Sequence, residues 1–371
     1  MRLHIVTNEK IINRCIDNFE VVHPGQNKWI VLQSDSSRDY VDNRKEVFKC
    51  QYDSALFWEI VGDVEYYDKI IIHFLTKDSA RFVCKIDHPN IYWIEWGFDL
   101  YNILLQYKGY QLYSDVRLQK RYSNHKKLGI LYPIYQQLSL LRLQHLYYRA
   151  AKKIRFFIPD SMYDEYPLLL EYYPKLKHLQ YKEFFYYPLD EVLGTDYEHK
   201  DLLGYNIIIG NSASLSGNHY EVIDLLSKIN IGSRKIVVPL SYGLKRYGDD
   251  VELYGKKHFG SQFRAIRDFM PLKEYNKVLR SANFFIYNNY RQEAVGNILV
   301  ALYLGGKVFL NRKNPLLKFY KGLGIHIYDL SALCLDEGFS PLTQEKIDNN
   351  RRILMSHYSK ERQLELIKNN L

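Results

Sequence analysis

Short apolar runs recur along the whole chain, each followed by a polar turn and then a longer stretch with helical spacing. In the first half the runs are LHIV (3–6), WIVL (29–32), KIIIHF (69–74), IYWIEW (91–96) and KIRFFI (153–158). The second half repeats the pattern with YNIIIG (205–210), KIVVPL (235–240), FRAIRDF (263–269), NFFIYN (283–288), KVFLN (307–311) and IHIYDL (325–330). Near-continuous Ile, Val and Phe suit strands covered on both faces, as in a parallel sheet between two layers of helix. Segments 218–230 and 271–281 carry helical spacing. Leu272, Tyr275, Val278 and Leu279 fall on one face, and Pro271 suits a first turn, where its missing N–H costs nothing. The expected fold class is α/β, with two doubly wound, Rossmann-like domains. At 371 residues the chain exceeds what one core usually serves, which agrees with two. Periodicity lapses over 187–204, so the expected division is 1–190 and 191–342, with a polar helix in 343–371 crossing back to the first domain.

Composition narrows the partners. With 47% hydrophobic and 25% charged residues the chain is globular rather than disordered. A net charge of +9 suits nucleic acid, a membrane surface or a diphosphate-bearing substrate, and charge alone does not choose among them. Nucleic acid is set aside: the sequence has no RNP, helix-turn-helix or zinc signature, and its basic residues scatter outside 117–155. Cys15, Cys50, Cys84 and Cys334 form no CxxC pair and read as reduced thiols of a cytosolic protein. The N-terminus reads as a first strand rather than a signal peptide, and no window approaches 18 uninterrupted apolar residues. Any membrane contact is therefore expected to be peripheral. Its candidate is the basic stretch 126–157, where Leu143, Tyr147, Ala150 and Ile154 share one helical face and Arg142, His145, Arg149 and Lys153 another. The 34 tyrosines combine an apolar ring with a wet hydroxyl and suit half-buried packing or sugar stacking.

In open α/β sheets ligands bind beyond the C-terminal strand ends. Three loops of the second half stand there. GNSASLSGNH (210–219) brings small residues and the hydroxyls of Ser212, Ser214 and Ser216 to a helix start, a setting that suits phosphate; it is neither a Walker loop nor GxGxxG. NNYRQEAVGNILVALYLGG (288–306) sets a polar Arg291-Gln292-Glu293 cluster before an apolar helix that Gly305-Gly306 ends. There Gly296 lets a diphosphate approach the helix N–H groups, Arg291 neutralises it, and Glu293 reaches ribose or sugar hydroxyls. PLSYG (239–243) and Asp268-Phe269-Met270 add a place for a pyrimidine to stack near Phe269. In the first half, Asp99 follows a Trp-Gly turn at a strand end, where a general base would stand, or else caps a helix. Glu95 reads as structural, and His73 is a second, weaker candidate. No DxD motif, HxH pair or carboxylate cluster suggests a metal: Asp249-Asp250 lacks the spacing. Basic side chains are then left to offset the leaving diphosphate.

With these loops in view the chain resembles the TDP-4-acetamido-4,6-dideoxygalactose (TDP-Fuc4NAc) transferases. The resemblance rests on IEWGFDLY (94–101) as a WGxDLY element, GNS with a following NxH in 210–219, and VVPLSYG (237–243). It continues through IYNNYRQEAVGNILVALYLGGKVFLNRKNP (286–315), with its RQ-x-x-x-G loop and closing LNRxNP. The motifs run in order across about 220 residues. The resemblance implies a GT-B fold, two domains facing a central cleft, a C-terminal donor domain, and neither metal nor cofactor. Residue by residue it places Asn211, Ser212, Asn218, Tyr242, Arg291, Gln292, Gly296 and Asn314 on the donor side, and Asp99 and His73 on the acceptor side. Two positions depart from the family pattern close to the donor: Ala294 stands for a Gly, and Asn297 follows Gly296 in place of Thr. The implied activity moves a deoxyamino sugar from a TDP-sugar to a lipid-linked sugar diphosphate at the inner face of the cytoplasmic membrane, for bacterial surface polysaccharide. A UDP- or GDP-sugar donor with a soluble or protein acceptor is the alternative.

Overall fold

The computed structural model describes residues 1–33, 39–115, 121–122, 132–159, 164–194 and 204–371. Parts of the expected linker (195–203) and of the basic stretch (126–131) therefore lie outside the described residues. The chain forms two compact units: Met1–Tyr110, Lys127–Tyr186 and Glu361–Leu371 make unit 1, and Gln111–Lys126 with Tyr187–Lys360 make unit 2.

Unit 1 is built on β1 (Arg2–Thr7), β2 (Asn27–Leu32), β3 (Val47–Cys50), β4 (Lys69–His73), β5 (Ile91–Ile94), β6 (Phe156–Ile158) and β7 (Gln180–Tyr181). These strands form one parallel sheet in the order β3-β2-β1-β4-β5-β6-β7. Ile70, Ile71 and Ile72 are wholly buried, as continuous apolar strands in a doubly covered sheet must be. Helices α1 (Ile11–Val22), α2 (Ala55–Val61), α3 (Lys77–Lys85), α4 (Tyr132–Lys153) and α5 (Glu165–Tyr172) flank it. A capping box between Thr76 and Ser79 starts α3. The basic stretch became α4, which buries Tyr147 and Ala150 and leaves Arg142, His145 and Arg149 exposed. Two elements were not legible: β3 and β7 are short strands at opposite edges and lack a long apolar run.

Unit 2 carries β8 (Asn206–Ile209), β9 (Ile236–Pro239), β10 (Phe263–Ile266), β11 (Ala282–Tyr287), β12 (Lys307–Leu310) and β13 (Tyr328–Asp329). They too form a parallel sheet, in the order β10-β9-β8-β11-β12-β13. Its helices are α6 (Leu189–Leu193), α7 (His219–Leu226), α8 (Lys245–Phe259), α9 (Leu272–Arg280), α10 (Val295–Tyr303), α11 (Pro315–Gly322) and α12 (Gln344–His357). Pro271 stands one residue before the helix it was expected to open, as its N-cap. The polar C-terminal stretch is two helices rather than one. Buried Tyr358 breaks it, and α13 (Lys360–Asn370) follows. Within unit 1, Gln363 on α13 accepts from Asn18 (2.6 Å) and donates to the Phe185 carbonyl (2.6 Å).

The structure also assigns 111–126 to unit 2, although the sequence reading places it in the first domain. The Ser114 N–H donates to Asn218 (2.9 Å), the Tyr122 hydroxyl donates to Asp250 (2.7 Å), and the Tyr122 ring joins the unit 2 core against Tyr247. No feature of local sequence signals such an excursion.

Candidate functional site

Strand order in unit 2 reverses between β8 and β11, which places the ligand-binding crevice of a doubly wound sheet beyond the ends of those two strands. Helix α7 follows β8 and helix α10 follows β11, so both open at this point. Both begin in the same uncommon way. Their N-caps, Asn218 (φ 47°) and Ala294 (φ 64°), are in the left-handed region, and neither supplies a side-chain cap to its helix. Such residues are strained unless glycine, and strain of this kind gathers at binding sites. Neither start is capped by its own N-cap side chain, so two positive dipole ends stand beside the crevice, although the Tyr247 hydroxyl takes the first N–H of α7.

Side chains tie the two loops together. Three donors converge on one oxygen, Glu293 Oε2: Ser216 Oγ (2.6 Å), Asn289 Nδ2 (2.8 Å) and Arg291 Nη2 (3.1 Å). Ser214 extends the chain to Ser216 (2.7 Å), and Arg291 Nη1 also donates to the Gln292 carbonyl (2.9 Å). The guanidinium is thus held in one orientation rather than free to sweep, which lowers the entropy cost of meeting an anion. A second network, anchored on buried Asn218 and Asn288, ties the loops together. Asn218 Nδ2 donates to the Asn288 carbonyl (3.0 Å), Asn288 Nδ2 to Glu221 (2.6 Å), and Asn311 Nδ2 to Asn288 Oδ1 (2.6 Å), so the loops after β8, β11 and β12 are one hydrogen-bonded body. Asn288, Asn289, Asn311 and Glu221 were missed by sequence reasoning; the Asn-Asn pair directly after an apolar strand was the available signal.

The loop after β8 is shaped by His219. Its ring fills a slot between Gly210 (φ 64°) and Gly217: a Cβ on Gly210 would sit 2.8 Å from Nε2, and one on Gly217 2.5 Å from Cε1. The Tyr247 hydroxyl lies 3.1 Å from Nδ1 and accepts the His219 backbone N–H (3.3 Å). Burial pushes the pKa of the ring down to about 4, keeping it neutral. Across the sheet edge, the Ala213 N–H donates to the Tyr242 carbonyl (2.7 Å), and Leu244 N–H to the Ala213 carbonyl (2.9 Å). Gly243 makes that approach possible, since a Cβ there would meet the Ala213 backbone at 2.7 Å.

Among the expected donor-side residues, Asn211 and Tyr242 face solvent, Nδ2 of the first donating to the hydroxyl of the second (2.8 Å) while the tyrosine stays 56% exposed. Phe269 is 70% exposed. Ser212 and Gln292 are nearly buried, and Asn297 Nδ2 donates to the Tyr275 hydroxyl (3.3 Å). Gly296 stands in the first turn of α10 with Tyr187 and Val192 at ordinary van der Waals distance from where its Cβ would be, so bare sterics do not require glycine there. Asn218 and Asn314 have structural duties: the first is the buried cross-link above, and the second caps α11 by accepting the Leu316 N–H (3.0 Å).

Unit 1 revises both acceptor-side candidates. His73 is wholly buried in a cluster of His4, Phe19, Trp29 and Tyr186, with Nε2 3.0 Å from His4 and Nδ1 2.5 Å from the Tyr186 hydroxyl. Burial pushes its pKa down to about 3, so it is a neutral core histidine. Asp99 is also 0% exposed. Its carboxylate accepts from the Leu75 N–H (2.9 Å), Trp93 Nε1 (2.7 Å) and the Trp96 N–H (2.9 Å). Burial raises its pKa to about 6 against the pull of those hydrogen bonds. A carboxylate so enclosed fixes loops and does not reach a substrate hydroxyl. Glu95, read as structural, is indeed buried; burial and the neighbouring Glu165 carboxyl push it well above its ordinary range. Among the described residues, no three His, Cys, Asp or Glu side chains group as a metal site, and no helix is long and apolar enough to cross a membrane.

Two doubly wound units are the architecture of the GT-B glycosyltransferases, and solved structures agree. Sucrose-phosphate synthase from Thermosynechococcus elongatus superposes with a TM-score of 0.61 at 8% identity, covering 98% of this chain and 96% of that one. HepE of Anabaena in complex with UDP-glucose gives 0.61 at 9% identity (99% and 98% covered). A UDP-forming alpha,alpha-trehalose-phosphate synthase from Burkholderia xenovorans gives 0.60 at 11% (100% and 98%). The chain is a glycosyltransferase of GT-B fold. Residues 168–328, which include the loops after β8 through β12, match the sequence pattern of the family described as 4-alpha-L-fucosyltransferase, glycosyl transferase group 56, in accord with the resemblance read from the motifs.

Proposed function

We propose that the chain transfers a deoxyamino sugar of the Fuc4NAc kind from a TDP-sugar to a lipid-linked sugar diphosphate at a membrane surface. The observation that carries the donor half is the convergence of Ser216, Asn289 and Arg291 on Glu293 beside two helix starts not capped by their own N-cap side chains. In the reaction the bond from sugar C1 to the diphosphate oxygen breaks and one to the acceptor hydroxyl oxygen forms, the hydroxyl proton passing to the departing diphosphate. Negative charge grows on the departing diphosphate, where Arg291 and the first-turn amides of α10 around Gly296 and Asn297 stabilise it. Asn211, Tyr242 and Gln292 would hold sugar hydroxyls or phosphate oxygens, and exposed Phe269 would stack the pyrimidine. Asn218, Asn314 and Glu293 act by holding these loops, and the buried His73 and Asp99 have no place in the chemistry.

The membrane half is supported by α4, where exposed Leu138 and Leu141 lie beside Arg142, His145 and Arg149, and by the net charge of +9. A UDP-sugar donor is the second reading, favoured by the complexes of HepE with UDP-glucose. Thermal-shift titration with TDP, UDP and GDP ranks the donors, and turnover of a TDP-sugar with a lipid-linked acceptor in anionic vesicles tests the transfer. TDP stabilising no better than GDP, together with absent transfer, would overturn the proposal.

A further inference from the structure

At the carboxyl edge of the unit 1 sheet three aromatic rings stand together outside the core. Strand β4 ends at His73, and Phe74 follows it in the left-handed region (φ 69°). A bulky residue is a conformational outlier there, and the turn persists only because its surroundings over-determine it. The ring of Phe74 stacks on Trp96 from the loop after β5, with centroids 5.3 Å apart and planes 8° from parallel. Phe98 meets Phe74 edge-on at 6.3 Å and is 47% exposed.

Asp99 lies beneath and holds both loops. It takes the Leu75 N–H, adjacent to Phe74, on one oxygen and the Trp96 N–H on the other. The backbone adds a further tie, Phe74 N–H to the Ile94 carbonyl (2.9 Å), and Tyr186 closes one side of Trp96 edge-on at 5.4 Å. Trp96 Nε1–H is buried without a hydrogen-bond partner, so it is the ring face and not this N–H that is presented at the edge. Rings that served only packing would turn inward; here a strained turn and a buried carboxylate are used to keep them at the edge where sheets of this kind bind ligands.

We infer that Phe74, Trp96 and Phe98 form a platform for a pyranose ring of the acceptor, with Asp99 as the residue that positions it. A pyranose offers an apolar C–H face to an aromatic surface of this kind. The assignment to the acceptor rests on the reading that the nucleotide-sugar is held by unit 2.

Saturation-transfer NMR on the full chain tests it. The probes are methyl glycosides of N-acetylglucosamine, galactose and fucose, and, in separate tubes, TDP, UDP and octanol. Saturation is expected at the C–H protons of one sugar face. Phe98→Ala, a substitution at a half-exposed site, should reduce it about fivefold, roughly the worth of one aromatic contact. Phe98→Tyr should retain it. Phe74→Gly should also lower the sugar signal, because it removes the ring that stacks on Trp96. The platform is overturned by a wild type that saturates none of the glycosides, by an unchanged sugar signal in Phe98→Ala, or by loss there of the nucleotide or octanol signal instead. A wild type that binds glycosides as expected but no nucleotide would refute the donor reading and leave the platform standing.

Discussion

Replacing Gly210 by Ala tests whether the loop after β8 is built around His219. Two costs follow from the geometry. The backbone at φ 64° disfavours an L side chain by about 1–2 kcal/mol. The new Cβ would also stand 2.8 Å from His219 Nε2, and the ring cannot retreat: Gly217 closes the slot on its other side, and Tyr247 holds Nδ1 at 3.1 Å. Overpacking of this sort costs about 1–3 kcal/mol, so the single substitution should destabilise by roughly 2–5 kcal/mol. In a His219→Ala background the contact is gone and only the backbone cost remains, so Gly210→Ala should then cost about 1–2 kcal/mol. The difference, a coupling of about 1–3 kcal/mol, is the signature of the wedge. Urea unfolding followed by far-ultraviolet circular dichroism gives the four stabilities of the cycle, and hydrogen exchange of peptides within 206–226 locates the loss. Additive effects in the double variant would refute the claim that the imidazole shapes this loop.

Three further outcomes are expected. Arg291→Ala should weaken TDP binding about 10- to 100-fold by calorimetry, the range for losing a charged hydrogen bond; unchanged affinity would remove Arg291 from the donor site. Ala294→Gly should stabilise the protein by roughly 0.5–1 kcal/mol, a rise of a few degrees in melting temperature, because the N-cap of α10 is left-handed; a fall would show that Ala294 makes a compensating contact. His219, held near 4 by burial against an ordinary 6.5, contributes stability that is fully present above about pH 6.5 and lost as pH falls through that window toward 4. The melting temperature of the wild type should therefore drop more steeply between pH 7 and 4 than that of His219→Asn, and parallel slopes would count against a buried neutral imidazole. Asp99 acts with the opposite sign, its raised value making unit 1 less stable as pH rises toward 6, so the slopes and not the absolute values carry the comparison.

Strand positions and helix–strand alternation were legible because each is enforced locally. An apolar run of four or five residues that must be buried on both faces has few alternatives to a central parallel strand, and β1, β4, β8, β9, β11 and β12 appear where those runs stand. The loops of the candidate site were legible for a related reason: small and polar residues directly after such a strand fall at one sheet edge whatever the rest of the chain does. What those residues do there was decided by the tertiary structure. Asp99 and His73 have the right identity and place for catalysis, but three N–H groups enclose the first and an aromatic cluster the second. Arg291 and Glu293, two residues apart, look like independent ligand groups until Ser216 and Asn289 arrive from elsewhere and make them a clamp. Burial and hydrogen-bond partners depend on residues tens to hundreds of positions away, so sequence by itself determined the two sheets and their binding edges, and only the folded chain decided which side chains at those edges remain available to a ligand.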